Sequence, residues 1–194
     1  MAERHDRAAA TRRERTRRQI ISRSRPLLDE HSPHDLTHTQ IAGYVGSAYG
    51  TVKEYFPNLS ALAVEAYMRS TDKVLQRIQE ATAQDARTKL TTTFIELTAL
   101  FVRHPSLAAA FLDIAEEPEE IQHPTYIAIT SHLEGAVDAF LDENPCRKQK
   151  IRQPGVHYLH TIIDWTSENF MRHDTPDPDE IEAFAHRTVT YLGR

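Results

Sequence analysis

Apolar residues return every three or four positions along almost the whole chain, and no stretch alternates apolar and polar residues between turn signals. The first spacing belongs to a helix face and the second to a half-buried strand, so the 194 residues predict an all-α fold. Ile20, Ile21, Ser24, Leu27 and Leu28 share one face of a helix expected over 11–30. Two short helices follow, over 37–44 and 48–55, with Thr37 as the N-cap of the first and Pro57-Asn58 ending the second. Longer helices are expected over 62–83, 90–103, 125–142, 155–172 and 179–192, with a short one ending near Ala115. The segment over 90–103 is apolar on most sides, which marks a buried central helix. Residues 146–153 are basic and polar and read as an exposed connection.

The segment from Thr37 to Phe56 carries most of the functional information. Ile41, Val45, Val52 and Phe56 form an apolar seam for two short helices crossing at a steep angle. Ala42 is small enough for close approach, and Gly46 stands where a tight turn needs positive φ. A helix–turn–helix places its second helix in the DNA major groove with N-terminal residues at base edges. In that arrangement Ser47, Ala48 and Tyr49 lie at the tip, and Gly50 lets the backbone approach closely. Thr51 and Tyr55 offer hydroxyls, Lys53 offers a charge, and Thr37 and Thr39 begin the first helix.

These residues resemble the N-terminal domain of the TetR family of bacterial transcriptional regulators, which reads Thr-x-x-x-Ile-Ala, then Ala-Gly-Val-Ser-x-Gly-Thr-Leu-Tyr-x-Tyr-Phe, then x-x-Lys-x-x-Leu. Thr37, Ile41-Ala42, Gly46, Gly50-Thr51, Tyr55-Phe56 and Leu62 stand in the matching places, and the specific resemblance covers about residues 17–65. Ala48, Lys53 and Leu59 replace the family's Ser, Tyr and Lys, so Ser47 is expected to cap the second helix one residue early. The resemblance implies a homodimer that binds double-stranded operator DNA and holds a small-molecule effector pocket in each C-terminal domain. It divides the chain into a DNA-binding head, 1–60, and an effector-binding and dimerisation body, 61–194.

Charge supports that division. The net charge of −5 splits into +3 over residues 1–60 and −8 over residues 61–194, and nine arginines fall in the first 25 positions. A basic head on an acidic body suits an anionic partner at one end. Arg12, Arg13 and Arg17 are the candidate phosphate or minor-groove contacts.

In the body, the helix over 155–172 carries two apolar stripes, one with Val156, His160, Ile163 and Phe170 and one with Tyr158, Ile162 and Trp165. The last helix adds Ile181, Phe184, Thr188, Val189 and Leu192. A helix apolar on two faces must bury both, so His160, Ile163, Phe170, Ile181, Phe184, Thr188, Val189 and Leu192 are the expected two-fold interface. The alternative is that one chain covers both faces by itself. Met68, Phe94, Leu97, Phe101, Phe111, Tyr126, His132, Leu133, His157 and Trp165 are the candidate effector-pocket residues, with core packing as the competing assignment for each.

Other classes fit less well. There is no Gly-x-Ser-x-Gly elbow, phosphate loop, dinucleotide fingerprint or His-Glu-x-x-His. A non-enzymatic chain without cofactor or metal is the expectation. His157 and His160 have a spacing that can share a metal, as do His31, His34 and His38. A small α-helical metal protein or enzyme built on His157/His160 is therefore one alternative, and a helical interaction module is another. A single cysteine, Cys146, excludes a disulfide framework. With no apolar run of about 18 residues and no signal-peptide core, the chain reads as a cytoplasmic protein with no membrane partner.

Overall fold

The computed structural model describes residues 2–81, 85–143, 153–171 and 175–192. It is all-α, as expected, with α1 (Ala2–Glu30), α2 (His38–Val45), α3 (Tyr49–Tyr55), α4 (Leu59–Glu80), α5 (Ala86–Arg103), α6 (Pro105–Ala115), α7 (Pro124–Glu143), α8 (Pro154–Met171) and α9 (Pro178–Leu192). Cys146 and most of the basic connection lie outside the described residues. No single described helix is long and apolar enough to cross a membrane.

The first three helices form the head. α1 buries Ile20, Ser24 and Leu28, while residues 9–15 are exposed on all sides. It begins nine residues earlier than the apolar pattern indicates, through a segment rich in Ala and Arg. Good intrinsic helix formers extend a helix there without an apolar stripe in the sequence to reveal it. α2 opens on a capping box: the Gln40 N–H donates to Thr37 Oγ1 at 3.3 Å, and the Thr37 N–H donates to Gln40 Oε1 at 2.8 Å. It closes at Gly46, whose φ of 70° is the left-handed conformation the turn requires.

α3 starts differently from expectation. Its N-cap is Ala48, and no side chain caps it, so Ser47 does not take over that role. Two longer-range bonds set its position. Arg23 of α1 donates from Nη1 to the Val45 carbonyl at 2.9 Å, placing a cation at the negative end of α2. His38 Nε2 donates to the Phe56 carbonyl at 2.8 Å, tying the start of α2 to the end of α3.

The body is built around α5. Leu90, Phe94, Leu97, Leu100 and Phe101 are at most 1% exposed, and α4, α6, α7, α8 and α9 all pack against this helix. That confirms the buried central helix read from its all-round apolar pattern. At His104-Pro105 the chain bends by 110° into α6, because Pro105 cannot donate to continue α5 and is well placed to begin a new helix. α7 and α8 cross very closely: a Cβ on Gly155 would lie 2.2 Å from the Thr130 carbonyl oxygen. α9 opens on a second capping box between Asp177 and Glu180, as the acidic turn before it indicates. It lies along α5, with Phe184 edge-on to Phe94 at 6.5 Å and stacked on Trp165 at 4.5 Å.

Head and body are joined by a dense set of polar ties. Tyr67 of α4 donates to Asp29 of α1 at 2.7 Å, accepts from Ser106 of α6 at 3.3 Å and stacks on His104 at 4.3 Å. Burial holds the His104 imidazole below its ordinary pKa, with Arg25 adding to the effect, which favours the neutral ring against Tyr67. Asp113 of α6 accepts a short hydrogen bond from Ser60 and lies 3.2 Å from His34. Asn58, the N-cap of α4, donates from Nδ2 to Glu117 Oε1 at 2.7 Å while its Oδ1 accepts from the Ser60 N–H.

Candidate nucleic-acid interface and effector region

The head presents α3 to solvent. Val52 and Phe56 anchor the helix in the core, and Ala48, Tyr49, Gly50 and Lys53 point outward. Tyr49 is 49% exposed, with Lys53 Nζ 5.7 Å from its ring centroid and the His38 ring edge-on at 6.2 Å. Ser47, Thr51 and Tyr55 are half-buried at the flanks, and Thr39 is exposed on α2. Thr37 is accessible, but its hydroxyl is engaged with Gln40. Sequence reasoning missed Tyr44, a 53% exposed tyrosine on α2. A large aromatic facing away from the Ile41/Val45 seam was the available signal.

The arginines divide into two groups. Arg12 and Arg13 are exposed on the free part of α1, and Arg13 lies 3.7 Å from Glu54 of α3. Arg17 is occupied. It pairs closely with Glu65 of α4, and its guanidinium lies 5.3 Å from the Phe56 ring centroid. In this structure it ties α1 to α4 and is paired, in contrast to the exposed Arg12.

Burial pushes the Glu65 carboxyl above its ordinary range, with Arg17 pulling it part of the way back and Glu14 adding to the rise. Removing Arg17 leaves that carboxylate without its cation. Arg17→Ala should cost about 1–2 kcal/mol at pH 8, below the figure for a fully buried pair because Arg17 is partly solvated. Part of the loss should return toward pH 5. With its folded pKa above the unfolded value, Glu65 binds more protons in the native state, so stability rises as pH falls through the folded pKa. Urea midpoints at the two pH values provide the check, and equal losses at both would show that Glu65 carries no uncompensated charge.

The expected effector residues do not surround one cavity. Phe94, Leu97, Phe101, Phe111 and Leu133 are at most 1% exposed and belong to one apolar cluster, with Phe101 and Phe111 edge-on at 5.6 Å. Large apolar side chains fill the space between helices before they can line an empty one. Met68 is 37% exposed on α4. His132 accepts or donates within α7 and to Gln79, His157 is exposed and edge-on to Tyr158, and Trp165 is half-buried under Phe184. Tyr126 alone of the ten lines the cleft between α7, the start of α8 and the turn after α6. That cleft has a volume of about 340 Å³ and is otherwise lined by Ala115, Glu117, Gln122, Ile127, Thr130, Ser131, Glu134, Gln153 and Val156.

The residues expected at a two-fold interface also face inward. Ile163, Ile181, Phe184, Val189 and Leu192 are at most 9% exposed in the single chain, because α9 turns its apolar face onto α5. Thr188 and His160 are half-buried, and the side chain of Phe170 lies outside the described residues. The outer face of α9 is formed instead by Glu182, Ala183, His186, Arg187 and Tyr191, the last 76% exposed. Among the described residues no group of three or more His, Cys, Asp or Glu side chains is placed to hold a metal, so His157 and His160 gain no third ligand.

An all-α chain with a helix–turn–helix at one end and a helical body behind it defines the architecture. No family model matches the chain, and no curated protein matches it. Among solved structures it is similar to the crystal structure of a transcriptional regulator FadR from Bacillus subtilis in complex with stearoyl-CoA. The two share 18% sequence identity with a TM-score of 0.61, over 91% of this chain and 98% of that chain. The likeness is one of fold.

Proposed function

We propose that the chain is a ligand-responsive, DNA-binding transcriptional regulator of the TetR kind, with residues 1–60 reading DNA and residues 61–194 carrying effector binding and dimerisation. The observation that carries this reading is the exposed N-terminal half of α3, aimed by the Gly46 turn and held by Arg23 and His38. Neither tie is needed for a simple pair of packed helices, and both fix the direction of the tip. In a homodimer two such tips would enter successive major grooves about 34–36 Å apart, which makes the operator roughly palindromic. Repression by occlusion, relieved when an effector favours another head spacing, completes the reading. Stearoyl-CoA belongs to the fold neighbour and is not carried over to this chain.

Titration of the full chain onto its own upstream DNA by fluorescence anisotropy tests the proposal. A salt-sensitive, sequence-preferring complex is expected, and binding indifferent to sequence would overturn it. The pair Tyr49 and Lys53 refines the test. Lys53→Ala should weaken binding to all sequences and lower the salt slope by about one unit. Tyr49→Ala should change sequence preference and, because Lys53 rests on its ring, part of the salt slope too. Identical behaviour of the two variants would refute the docking.

A further inference from the structure

The face that α3 turns to solvent is poor in the side chains that read bases by paired hydrogen bonds. Arginine grips guanine with two bonds, and asparagine or glutamine grips adenine in the same way. Positions 47–55 read Ser-Ala-Tyr-Gly-Thr-Val-Lys-Glu-Tyr and contain none of the three. The two charged residues among them already have partners within the head. Glu54 lies 3.7 Å from Arg13, and the Lys53 ammonium lies 5.7 Å from the Tyr49 ring centroid. Gly50 adds no side chain, and Val52 is buried. What stays open is chiefly carbon, the Ala48 methyl and the half-exposed Tyr49 ring. A second observation concerns how that ring is held. His38 of α2 lies edge-on to it, with centroids 6.2 Å apart and planes at 72°. The His38 Nε2 donates to the Phe56 carbonyl at 2.8 Å, which fixes the imidazole against the far end of α3. Lys53 flanks the same ring from one turn further on. An exposed tyrosine ordinarily samples several rotamers, whereas this one is braced on two sides and has less freedom to lose on binding.

We infer that α3 reads the 5-methyl groups of thymines through the Ala48 methyl and the Tyr49 ring, and that His38 is the residue that positions the ring. Thymine is the base that presents an apolar group in the major groove, and apolar side chains recognise it by contact with that methyl. This rests on the regulator reading above and gives its DNA partner a base chemistry: half-sites with thymine where α3 lies. His38 itself reaches no base in this arrangement. It acts through Tyr49, by the edge of its ring, and through the backbone of α3, by its donor to Phe56.

The test compares two versions of the upstream duplex, one natural and one synthesised with deoxyuridine in place of thymidine. The exchange removes the methyl and keeps every hydrogen-bonding group. By anisotropy the full chain should bind the natural duplex about tenfold more tightly, the effect of about one buried methyl in each of two half-sites. In Tyr49→Ala that ratio should fall to about twofold. His38→Gln keeps a donor within reach of the Phe56 carbonyl and removes the ring, so its ratio should fall to about threefold. His38→Phe keeps the ring and removes the donor, so it should bind both duplexes more weakly and retain the larger ratio. Circular dichroism confirms the fold of each variant. Equal affinity of the parent chain for the two duplexes, alongside binding that still prefers sequence, would overturn the methyl reading and leave the regulator standing. A ratio unchanged in Tyr49→Ala would assign it to duplex stiffness and overturn the methyl reading as well. A parental ratio in His38→Gln would overturn the positioning role. Binding indifferent to sequence on both duplexes sinks the regulator, and the thymine reading with it.

Discussion

Gly50→Asp should reduce DNA affinity at least a hundredfold, about 3 kcal/mol, while leaving the protein as stable as before or more so. Gly50 is the second residue of α3, and a Cβ built there meets no heavy atom within 4 Å. The fold has room for the substitution. α3 has neither a capping side chain nor an acid in its first turn, so a carboxylate near its positive end adds about 0.3–1 kcal/mol. Replacing glycine in a helix adds about 0.5–1 kcal/mol more. On DNA both effects reverse, because the new charge faces phosphates and base edges at the point of closest backbone approach. Gly50→Ala separates bulk from charge and should lose about tenfold. Parental affinity in Gly50→Asp would show that another element reads DNA.

Gly155→Ala should destabilise the chain by about 3 kcal/mol and lower Tm by about 6–12 °C. The added Cβ would meet the Thr130 carbonyl oxygen at 2.2 Å, its carbon at 3.1 Å and the Glu134 Cβ at 3.0 Å. Two of these are backbone atoms of α7, which no rotamer change can move. α8 would have to lift its first turn, which carries Val156 of the cleft wall and follows directly on Gln153. Calorimetry provides the check, and a loss below about 0.5 kcal/mol would show that the helix crossing yields without strain.

The helix positions were legible because buried stripes repeat at the helical period, and the turn between α2 and α3 was legible because Gly46 stands where its φ is positive. The start of α1 was not, since its Ala- and Arg-rich sequence carries no apolar stripe. The directions of the faces were also hidden. The pattern Ile181, Phe184, Val189 and Leu192 says that α9 has an apolar side, but not that α5 rather than a second chain covers it. The cleft escaped for the opposite reason. Glutamines and glutamates such as Gln122 and Glu134 read as surface residues, and a concavity exists only once α7 and α8 are placed. Arg17 looked like its neighbours because its partner, Glu65, stands 48 positions away.

One contiguous apolar cluster runs from Ile20 through Val52, Phe56 and Leu62 to Phe101 and Val189. With Arg17, Tyr67 and Asn58 bridging the same seam, the packing continues without a break past residue 60. For anyone transplanting the helix–turn–helix into another protein, the cut belongs after α4, and the facing side of α6 must travel with it. A splice at residue 60 would cut through the shared apolar cluster and take Glu65 from Arg17 and Tyr67 from Asp29.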